Sequence, residues 1–267
     1  MDQITEKLTC RVSINIITYN QATFIARAIK SVLAQSFFDW EIIIIDDASS
    51  DRTEEIIKPY LVDKRIHYFK NEKNSGICLS RNRALQESGG EYIAILDSDD
   101  FWNDPDKLKK QLRFLDDNTD YVIIGTGVIV IDEDNNKIKQ YSNPLKNTEI
   151  KNQILKKNPF ANSSVMYRRA PVMEVGAYNL DINGIEDYDL WLRLGKKYKM
   201  ANLPDFCLSY RVHGNNITST NRERLMELNL KLISEHRHDY PGYFYAKLRR
   251  QLRLRIFKLL KFLSSQS

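Results

Sequence analysis

The stretch EIIIIDD, residues 41–47, decides the fold class, because four consecutive isoleucines end abruptly in two carboxylates. A short apolar run of this kind is typical of a strand that is buried on both faces. The chain continues with Asp51-Arg52-Thr53-Glu54, a sequence that suits the N-terminal cap of a helix. The stretch therefore predicts a strand followed by a helix.

The same order recurs on both sides of this stretch. Val12 to Tyr19 reads as a buried strand, and Phe24 to Leu33 places its apolar residues at helical spacing. Downstream, Ile66 to Phe69 reads as a strand, Arg81 to Gln86 as a helix and Tyr92 to Leu96 as the next strand. Strands alternating with helices predict an α/β fold with a mostly parallel central sheet flanked by helices.

The alternation weakens after about residue 100. Tyr121 to Ile131 reads as a long strand, residues 132–147 are polar, and Tyr188 to Leu194 has the pattern of a helix. No internal repeat or low-complexity segment interrupts the sequence. We therefore expect a single mixed α/β unit with unequal halves.

Composition and length favour a globular protein. The 267 residues are 42% hydrophobic, enough for a substantial core. No apolar run approaches the roughly 20 residues that cross a bilayer, and the first ten residues lack the pattern of a secretory signal. The three cysteines, Cys10, Cys78 and Cys207, are far apart, so neither a disulfide framework nor a zinc site is indicated. We expect a cytoplasmic protein with reduced cysteines.

Polar side chains end three of the predicted strands. They are Thr18-Tyr19-Asn20, Asp46-Asp47 and Asp97-Ser98-Asp99-Asp100. Asp and Asn are common in turns and helix caps, which is the structural alternative for each group taken alone. Carboxylates gathered at one sheet edge repel each other unless a cation or hydrogen-bond donors compensate them. The third group therefore suggests a hard divalent metal ion shared with phosphate oxygens.

The common glycine-rich phosphate motifs are absent from the sequence. Asn20-Gln21-Ala22-Thr23 follows the first strand where a dinucleotide fold would have Gly-x-Gly-x-x-Gly, and no Walker-type sequence occurs. Gly125-Thr126-Gly127 lacks a third glycine. If phosphate is bound, a metal ion and side chains must hold it.

At this point the sequence resembles family 2 glycosyltransferases of the GT-A fold, over roughly residues 12–219. The matching segments occur in the family's order: Ile17-Thr18-Tyr19-Asn20, Ile42 to Asp51, Asn74-Ser75-Gly76 with Ser80-Arg81-Asn82, Leu96 to Asp100, Glu186 to Trp191, and Tyr210-Arg211-Val212-His213. The resemblance implies an inverting, metal-dependent enzyme that moves one sugar from a nucleotide diphosphate to an acceptor hydroxyl.

The resemblance also implies roles for particular residues. Asp47 would accept a hydrogen bond from uracil, which favours a UDP-sugar donor, while Asp97 would contact the ribose. Asp99 and His213 would bind Mn²⁺ or Mg²⁺, and Asp187 would be the catalytic base. Further donor-binding residues would be Thr18, Tyr19, Asn20, Asn74, Arg81 and Ser98, and Glu186 and Trp191 would orient the site or the acceptor. For Arg81 the alternative is an ordinary ion pair.

The implied organisation has three parts. Residues 1–100 would form the nucleotide-sugar-binding half, 101–220 the acceptor-binding and catalytic half, and 221–267 a C-terminal helical tail. The acceptor would be a glycan or glycolipid of bacterial surface polysaccharide or glycolipid synthesis. The sequence departs from the family at Ala48, where relatives often have glycine, and it lacks the Gln-x-x-Arg-Trp motif of processive members.

Two other function classes remain open at this stage. A sugar-nucleotide nucleotidyltransferase can share a related fold and metal, although it usually needs a glycine-rich basic loop near the first strand, and residues 18–27 contain no glycine. A noncatalytic sugar-nucleotide binding module would bind the donor without transferring the sugar.

The C-terminal end of the chain concentrates its positive charge. Seven basic residues and no acid lie between Lys247 and Lys261, whereas the formal net charge of the whole chain is +5. Leucines and isoleucine recur at helical spacing across 247–263, which predicts a basic amphipathic helix in peripheral contact with the anionic inner face of the cell membrane. A helix packed on its own domain or on a partner subunit is the alternative. The rest of the chain therefore carries a formal charge of +5 − 7 = −2, and this acidic main body argues against nucleic acid as a partner.

Overall fold

A computed structural model describes residues 10–214 and 221–264, and its first part alternates strands and helices as predicted. The elements are β1 (Val12–Thr18), α1 (Ile25–Leu33), β2 (Trp40–Asp46), α2 (Thr53–Ile57), β3 (Ile66–Lys70), α3 (Ile77–Glu87) and β4 (Tyr92–Ile95). Each predicted strand of this region is present, with ends that differ from the prediction by at most one residue.

The second part is less regular, as its sequence indicated. Its strands are β5 (Phe101–Trp102), β6 (Tyr121–Ile131), β7 (Lys137–Tyr141), β8 (Met166–Arg168) and β9 (Lys199–Arg211). Its helices are α4 (Lys107–Asp117), α5 (Asn147–Gln153), α6 (Arg169–Glu174), α7 (Glu186–Lys197), α8 (Arg222–Glu235) and α9 (Tyr243–Ser264). Short 3₁₀ helices occupy Lys58–Val62 and Asn162–Ser164.

One sheet joins the two parts. Its strand order is β3-β2-β1-β4-β8-β6-β9-β5, with β7 paired to β6. Strands β3, β2, β1 and β4 are mutually parallel, whereas β8 is antiparallel to both β4 and β6. The predicted α/β fold with a mostly parallel, helix-flanked sheet is confirmed, as is the C-terminal helical extension.

The packing of both sheet faces explains the isoleucine run of β2. Successive side chains of a strand point to opposite faces, and both faces of this sheet are covered. Ile42 and Ile44 belong to one buried cluster, while Ile43 and Ile45 pack with Ala84 of α3 on the other face. Both faces of β2 therefore require apolar side chains.

The turns after β1 and β2 place polar side chains at the carboxyl edge of the sheet. Both contain a non-glycine residue in the left-handed region, Asn20 with φ 53° and Ala48 with φ 66°. A left-handed conformation costs an L-residue about 1–2 kcal/mol, and Asn tolerates it better than Ala. Ala48, where relatives often have glycine, therefore lies at a position whose backbone conformation favours glycine.

Candidate active site

A cavity of about 630 Å³ opens at the carboxyl edge of β1, β2 and β4. This is the edge at which ligands bind in open α/β sheets. It brings together residues that are far apart in the sequence, from the first strand to the start of α7 and on to α8. Among the residues named from the sequence, those lining the cavity are Thr18, Tyr19, Asp47, Asn74, Arg81, Asp97, Ser98, Asp99, Glu186 and Asp187.

A buried arginine lies at the centre of this site. Arg81, on α3, is only 5% exposed, and its Nε donates to Glu186 Oε1 while its Nη2 donates to Asp97 Oδ1, both at 3.0 Å. The two carboxylates raise the pKa of the Arg81 guanidinium well above its ordinary value, against the opposing effect of burial. Arg81 therefore forms the ion pairs of the alternative interpretation, and it also lines the cavity.

Asp97 is fixed by donors from the segment before β8. Asn162 Nδ2 donates to both carboxylate oxygens at 3.1 Å, and Ser163 Oγ lies 3.0 Å from Oδ2. With the Arg81 contact, the carboxylate is held by three side chains. Two polar atoms of the cavity wall, Thr18 Oγ1 and Asn162 Oδ1, are buried and have no hydrogen-bond partner among the described residues. Such atoms are available to a polar ligand.

Asp99 contacts His213, which lies two residues after the end of β9. The distance between His213 Nε2 and Asp99 Oδ2 is 3.0 Å, and the His213 ring packs against Phe24 with its centroid 5.3 Å away. Burial, followed by the charge of Asp97, raises the pKa of the Asp99 carboxyl.

The Asp99 and His213 pair fits a divalent cation. Two ligands that each lie about 2.1 Å from a metal at adjacent octahedral positions are separated by roughly 3.0 Å, which is the spacing found here. No group of three or more His, Cys, Asp or Glu side chains in residues 10–214 and 221–264 is arranged to hold a metal. A cation here would need further ligands from a bound phosphate or water, as is usual for Mg²⁺.

Asp100 is turned into the protein. Its Oδ2 accepts a hydrogen bond from Ser163 Oγ at 2.6 Å, and its Oδ1 accepts the backbone N–H of Arg211 at 2.8 Å. It is 1% exposed, and burial raises the pKa of its carboxyl well above the ordinary value. Asp100 thus joins the loop after β4 to the end of β9, where it helps to place His213.

Asp187 lies in the first turn of α7, at the cavity wall. Its Oδ2 accepts a hydrogen bond from Asn158 Nδ2 at 2.9 Å, and its Oδ1 accepts the N–H of Tyr188 at 2.6 Å. Burial, followed by the charge of Glu186, raises the pKa of the Asp187 carboxyl to about 7. A carboxylate with this pKa is suited to accept a proton at neutral pH.

The adjacent Glu186 is already fully engaged. Arg81 Nε donates to its Oε1, and the N–H of Gly184 donates to its Oε2 at 2.9 Å. The side chain is 4% exposed. It therefore serves to position Arg81 and the loop before α7.

Asp47 organises the loop that follows β3. Asn71 Nδ2 and the N–H of Ser75 donate to its Oδ1, and the N–H of Gly76 donates to its Oδ2, at 2.7–2.9 Å. Gly76 has a φ of 88°, which favours glycine at this position. A carboxylate has about four acceptor positions, so Asp47 retains about one for a ligand.

Three of the residues named from the sequence do not line the cavity: Asn20, Trp191 and His213. His213 contacts the lining residue Asp99. Asn20 Oδ1 accepts the N–H groups of Ser50 and Asp51 at 2.8 and 3.3 Å, so this side chain shapes the loop, and its donor contact stays a prediction. Trp191 is completely buried. Its ring packs edge-on against Phe160, a cavity residue, at a centroid distance of 5.8 Å, and supports the wall from behind.

Several cavity residues were missed from the sequence. Asn158, Asn162 and Ser163 lie in an irregular segment between α5 and β8, and Asn221 and Arg224 lie at the start of α8. Polar residues in irregular segments carry no periodic pattern. Only the density of polar side chains in Asn158 to Ser164 signals a site, and it is equally typical of a surface loop.

Comparison with protein families decides the classification. The profile of Glycosyl transferase family 2 matches residues 13–176, more than half of the chain. The chain belongs to this family. Its relatives include the Escherichia coli UDP-Glc:alpha-D-GlcNAc-diphosphoundecaprenol beta-1,3-glucosyltransferase WfaP, 35% identical over 88% of this chain and 92% of WfaP. The putative teichuronic acid biosynthesis glycosyltransferase TuaG of Bacillus subtilis is 34% identical over 78% of this chain and 81% of TuaG.

Solved structures confirm the GT-A fold of this family member. Staphylococcus aureus TarS, residues 1–349 in complex with UDP-GlcNAc, superposes with a TM-score of 0.71 at 20% identity, covering 91% of this chain and 73% of that one. The mannosyltransferase PcManGT of Pyrobaculum calidifontis, in complex with GDP-Man and Mn²⁺, gives 0.68 at 19% identity, with 92% and 70% covered. In the described ranges, no helix combines the length and apolar character needed to cross a membrane.

Replacing Arg81 with methionine tests the central ion pairs. The change leaves Asp97 and Glu186 without their shared cation, and we expect the free energy of unfolding to fall by about 3–5 kcal/mol. Urea unfolding measures it. In the control Arg113→Met, the side chain lost is 87% exposed and pairs with Asp117 at 3.8 Å, so stability should change by less than about 0.5 kcal/mol. Equal effects of the two changes would contradict a central role for Arg81.

Proposed function

We propose that this protein is an inverting, metal-dependent glycosyltransferase that moves a single sugar from a UDP-sugar to a hydroxyl of a glycan or glycolipid acceptor. One observation carries the proposal: a single cavity is lined by Asp99, whose carboxylate contacts His213 at 3.0 Å, and by a separate carboxylate, Asp187, whose pKa is raised to about 7. Family membership supports glycosyl transfer as the reaction.

Asp187 is assigned the role of the base. An acceptor hydroxyl is a weak nucleophile at neutral pH until a neighbouring group takes its proton. Glu186 is occupied by Arg81 and the Gly184 amide, whereas Asp187 borders the cavity without a cationic partner at hydrogen-bond distance among the described residues. Asp187 therefore takes the proton of the acceptor hydroxyl while the hydroxyl oxygen attacks the anomeric carbon and displaces the nucleoside diphosphate.

The same arrangement favours inversion. Retention through a covalent intermediate would require a second free carboxylate as nucleophile, about 5 Å from an acid and base carboxylate. The nearest candidate beside Asp187 is Glu186, and its two oxygens already accept hydrogen bonds. One base and one displacement convert an α-linked donor into a β-linked product.

Asp99 and His213 are assigned to the donor diphosphate. A divalent cation bound by these two side chains would neutralise the charge that develops on the leaving diphosphate. The Mn²⁺ in the PcManGT structure supports this assignment by analogy of fold. Asp97, held by Arg81 and Asn162, is positioned to accept from a ribose hydroxyl.

UDP is the proposed nucleotide. Asp47 retains about one acceptor position, which suits the single N–H of a uracil ring. WfaP is named for UDP-Glc, and TarS was crystallised with UDP-GlcNAc. The acceptor in the WfaP name is a sugar on diphosphoundecaprenol, and TuaG is named for teichuronic acid synthesis, which supports a role in assembling bacterial surface polysaccharide or glycolipid.

A panel of UDP- and GDP-sugars with Mn²⁺ or Mg²⁺, scored for nucleotide release, tests the proposal together with Asp187→Asn. The amide cannot take a proton, so we expect turnover to fall about 10²–10⁴-fold while donor affinity changes little. Asp181→Asn is the control, because Asp181 is exposed and lies in the segment before α7. Parallel loss of donor binding and turnover would remove Asp187 from the base role, and formation of UTP and sugar 1-phosphate from a UDP-sugar and added pyrophosphate would indicate a nucleotidyltransferase.

Asp99→Asn tests the metal assignment separately. Losing the charged oxygen ligand should raise the Mn²⁺ concentration for half-maximal activity and for UDP binding, measured by calorimetry, by roughly 100-fold. Asp106→Asn, whose side chain is 53% exposed, should leave both unchanged. Full activity of the wild-type protein in excess chelator would refute metal dependence.

The pH dependence of kcat/KM tests the state of Asp187 in the free enzyme. Below pH 7 its carboxyl is protonated and cannot act as a base, so kcat/KM should fall about tenfold per pH unit on the acid side and level off above pH 7. Asn158→Ala removes a hydrogen bond to the charged form and should move the inflection to higher pH. Asn152→Ala, on the exposed side of α5, should not move it. An inflection below pH 5 would contradict the assignment.

A further inference from the structure

Helix α9 carries a continuous apolar stripe on its exposed face. Nine large apolar side chains of this helix are 48–86% exposed: Phe244, Tyr245, Leu248, Leu252, Ile256, Leu259, Leu260, Phe262 and Leu263. At 3.6 residues per turn they fall within an arc of about 160°. An apolar surface of this extent on a soluble domain marks a binding surface.

The stripe points away from the rest of the protein. The side of α9 that packs on α8 carries the buried Ala246 and the half-buried Arg250, Leu254 and Phe257, which lie on the opposite side of the helix. Arg250 Nη2 donates to Leu155 O and to Tyr188 Oη at 3.1 Å. The helix therefore packs on α8 through the side opposite the stripe. This arrangement argues against the alternative in which the stripe itself packs on the domain.

The charges around the stripe identify the kind of partner. Arg249, Arg253 and Arg255 are exposed at or beside the stripe, and α9 contains no acidic residue. Lys258 and Lys261 are instead paired with Glu227 and Glu223 of α8 at 2.6 Å. A second copy of this surface would bring like charges together. An anionic surface is complementary to it.

Apolar residues on one face of a helix with cations beside them are the features that place a helix in the interface of an anionic bilayer. We propose that α9 docks the protein on an anionic lipid bilayer through the stripe of residues 244–263.

The docking surface is connected to the cavity. Arg250 joins α9 to Tyr188, the residue after Asp187, and α8, on which α9 packs, contributes Arg224 and Leu225 to the cavity wall. Docking through α9 therefore holds the cavity near the lipid surface. The inference concerns binding to the bilayer and does not depend on the proposed transfer reaction.

Co-sedimentation of the full chain with vesicles tests the proposal. Vesicles of phosphatidylcholine containing phosphatidylglycerol should bind the protein, and pure phosphatidylcholine should bind it much more weakly. Replacing Arg249, Arg253 and Arg255 together with glutamine should lower the partition coefficient on the order of 100-fold, since each basic residue near the headgroups contributes about fivefold. Equal binding of the wild type to both vesicle types would overturn the proposal.

A second variant tests the apolar part. Leu252→Ser, Ile256→Ser and Leu259→Ser combined should abolish vesicle binding, while Val62→Ser, at a side chain 87% exposed elsewhere, should leave it intact. Urea unfolding and nucleotide release from the donor, without lipid, should be unchanged in the triple variant, which separates docking from folding and catalysis. If the wild type sediments as a dimer without lipid and the triple variant as a monomer, a second copy is the partner and the proposal fails.

Discussion

The site depends on one buried cation. Arg81 Nη2 contacts Asp97 in the loop after β4, and its Nε contacts Glu186 at the start of α7. These two segments carry Asp99 and Asp187, the residues assigned to the donor diphosphate and to the acceptor. Removing three charged groups from water is costly, and their mutual attraction offsets that cost only in a fixed geometry. The guanidinium therefore sets the distance between the two halves of the proposed reaction centre.

The acids at this sheet edge have different partners, and the differences explain their assignments. Asp97 accepts hydrogen bonds from Arg81 and Asn162, and Asp100 accepts them from Ser163 and the Arg211 amide. Asp99 contacts His213, and burial together with the charge of Asp97 raises its pKa. A bound cation stabilises the charged form of a carboxylate whose pKa is raised in this way.

The sequence predicted the features that follow from periodicity and from strand ends. The alternation of buried strands and helices placed Thr18, Asp47 and Asp97 at one edge, because the carboxyl ends of parallel strands meet there. It did not predict Asn158 or Asn162, which reach the cavity only through tertiary packing of an irregular segment. Trp191 lies on the same helix as Asp187 but on its buried side, where it reaches the cavity wall only through Phe160. A family resemblance identifies a motif, whereas the helical rotation decides which of its side chains reach the cavity.

Glu186 and Asp187 show how adjacent carboxylates acquire different chemistry. They share one helix start. Arg81 pairs with Glu186, and burial together with the charge of Glu186 raises the pKa of Asp187 to about 7. The two carboxylates are therefore assigned separate roles, one in holding the site and one in moving a proton. Tyr188, next in the chain, accepts a hydrogen bond from Arg250 of α9, so the helix that carries the proposed base also anchors the helix proposed to face the bilayer.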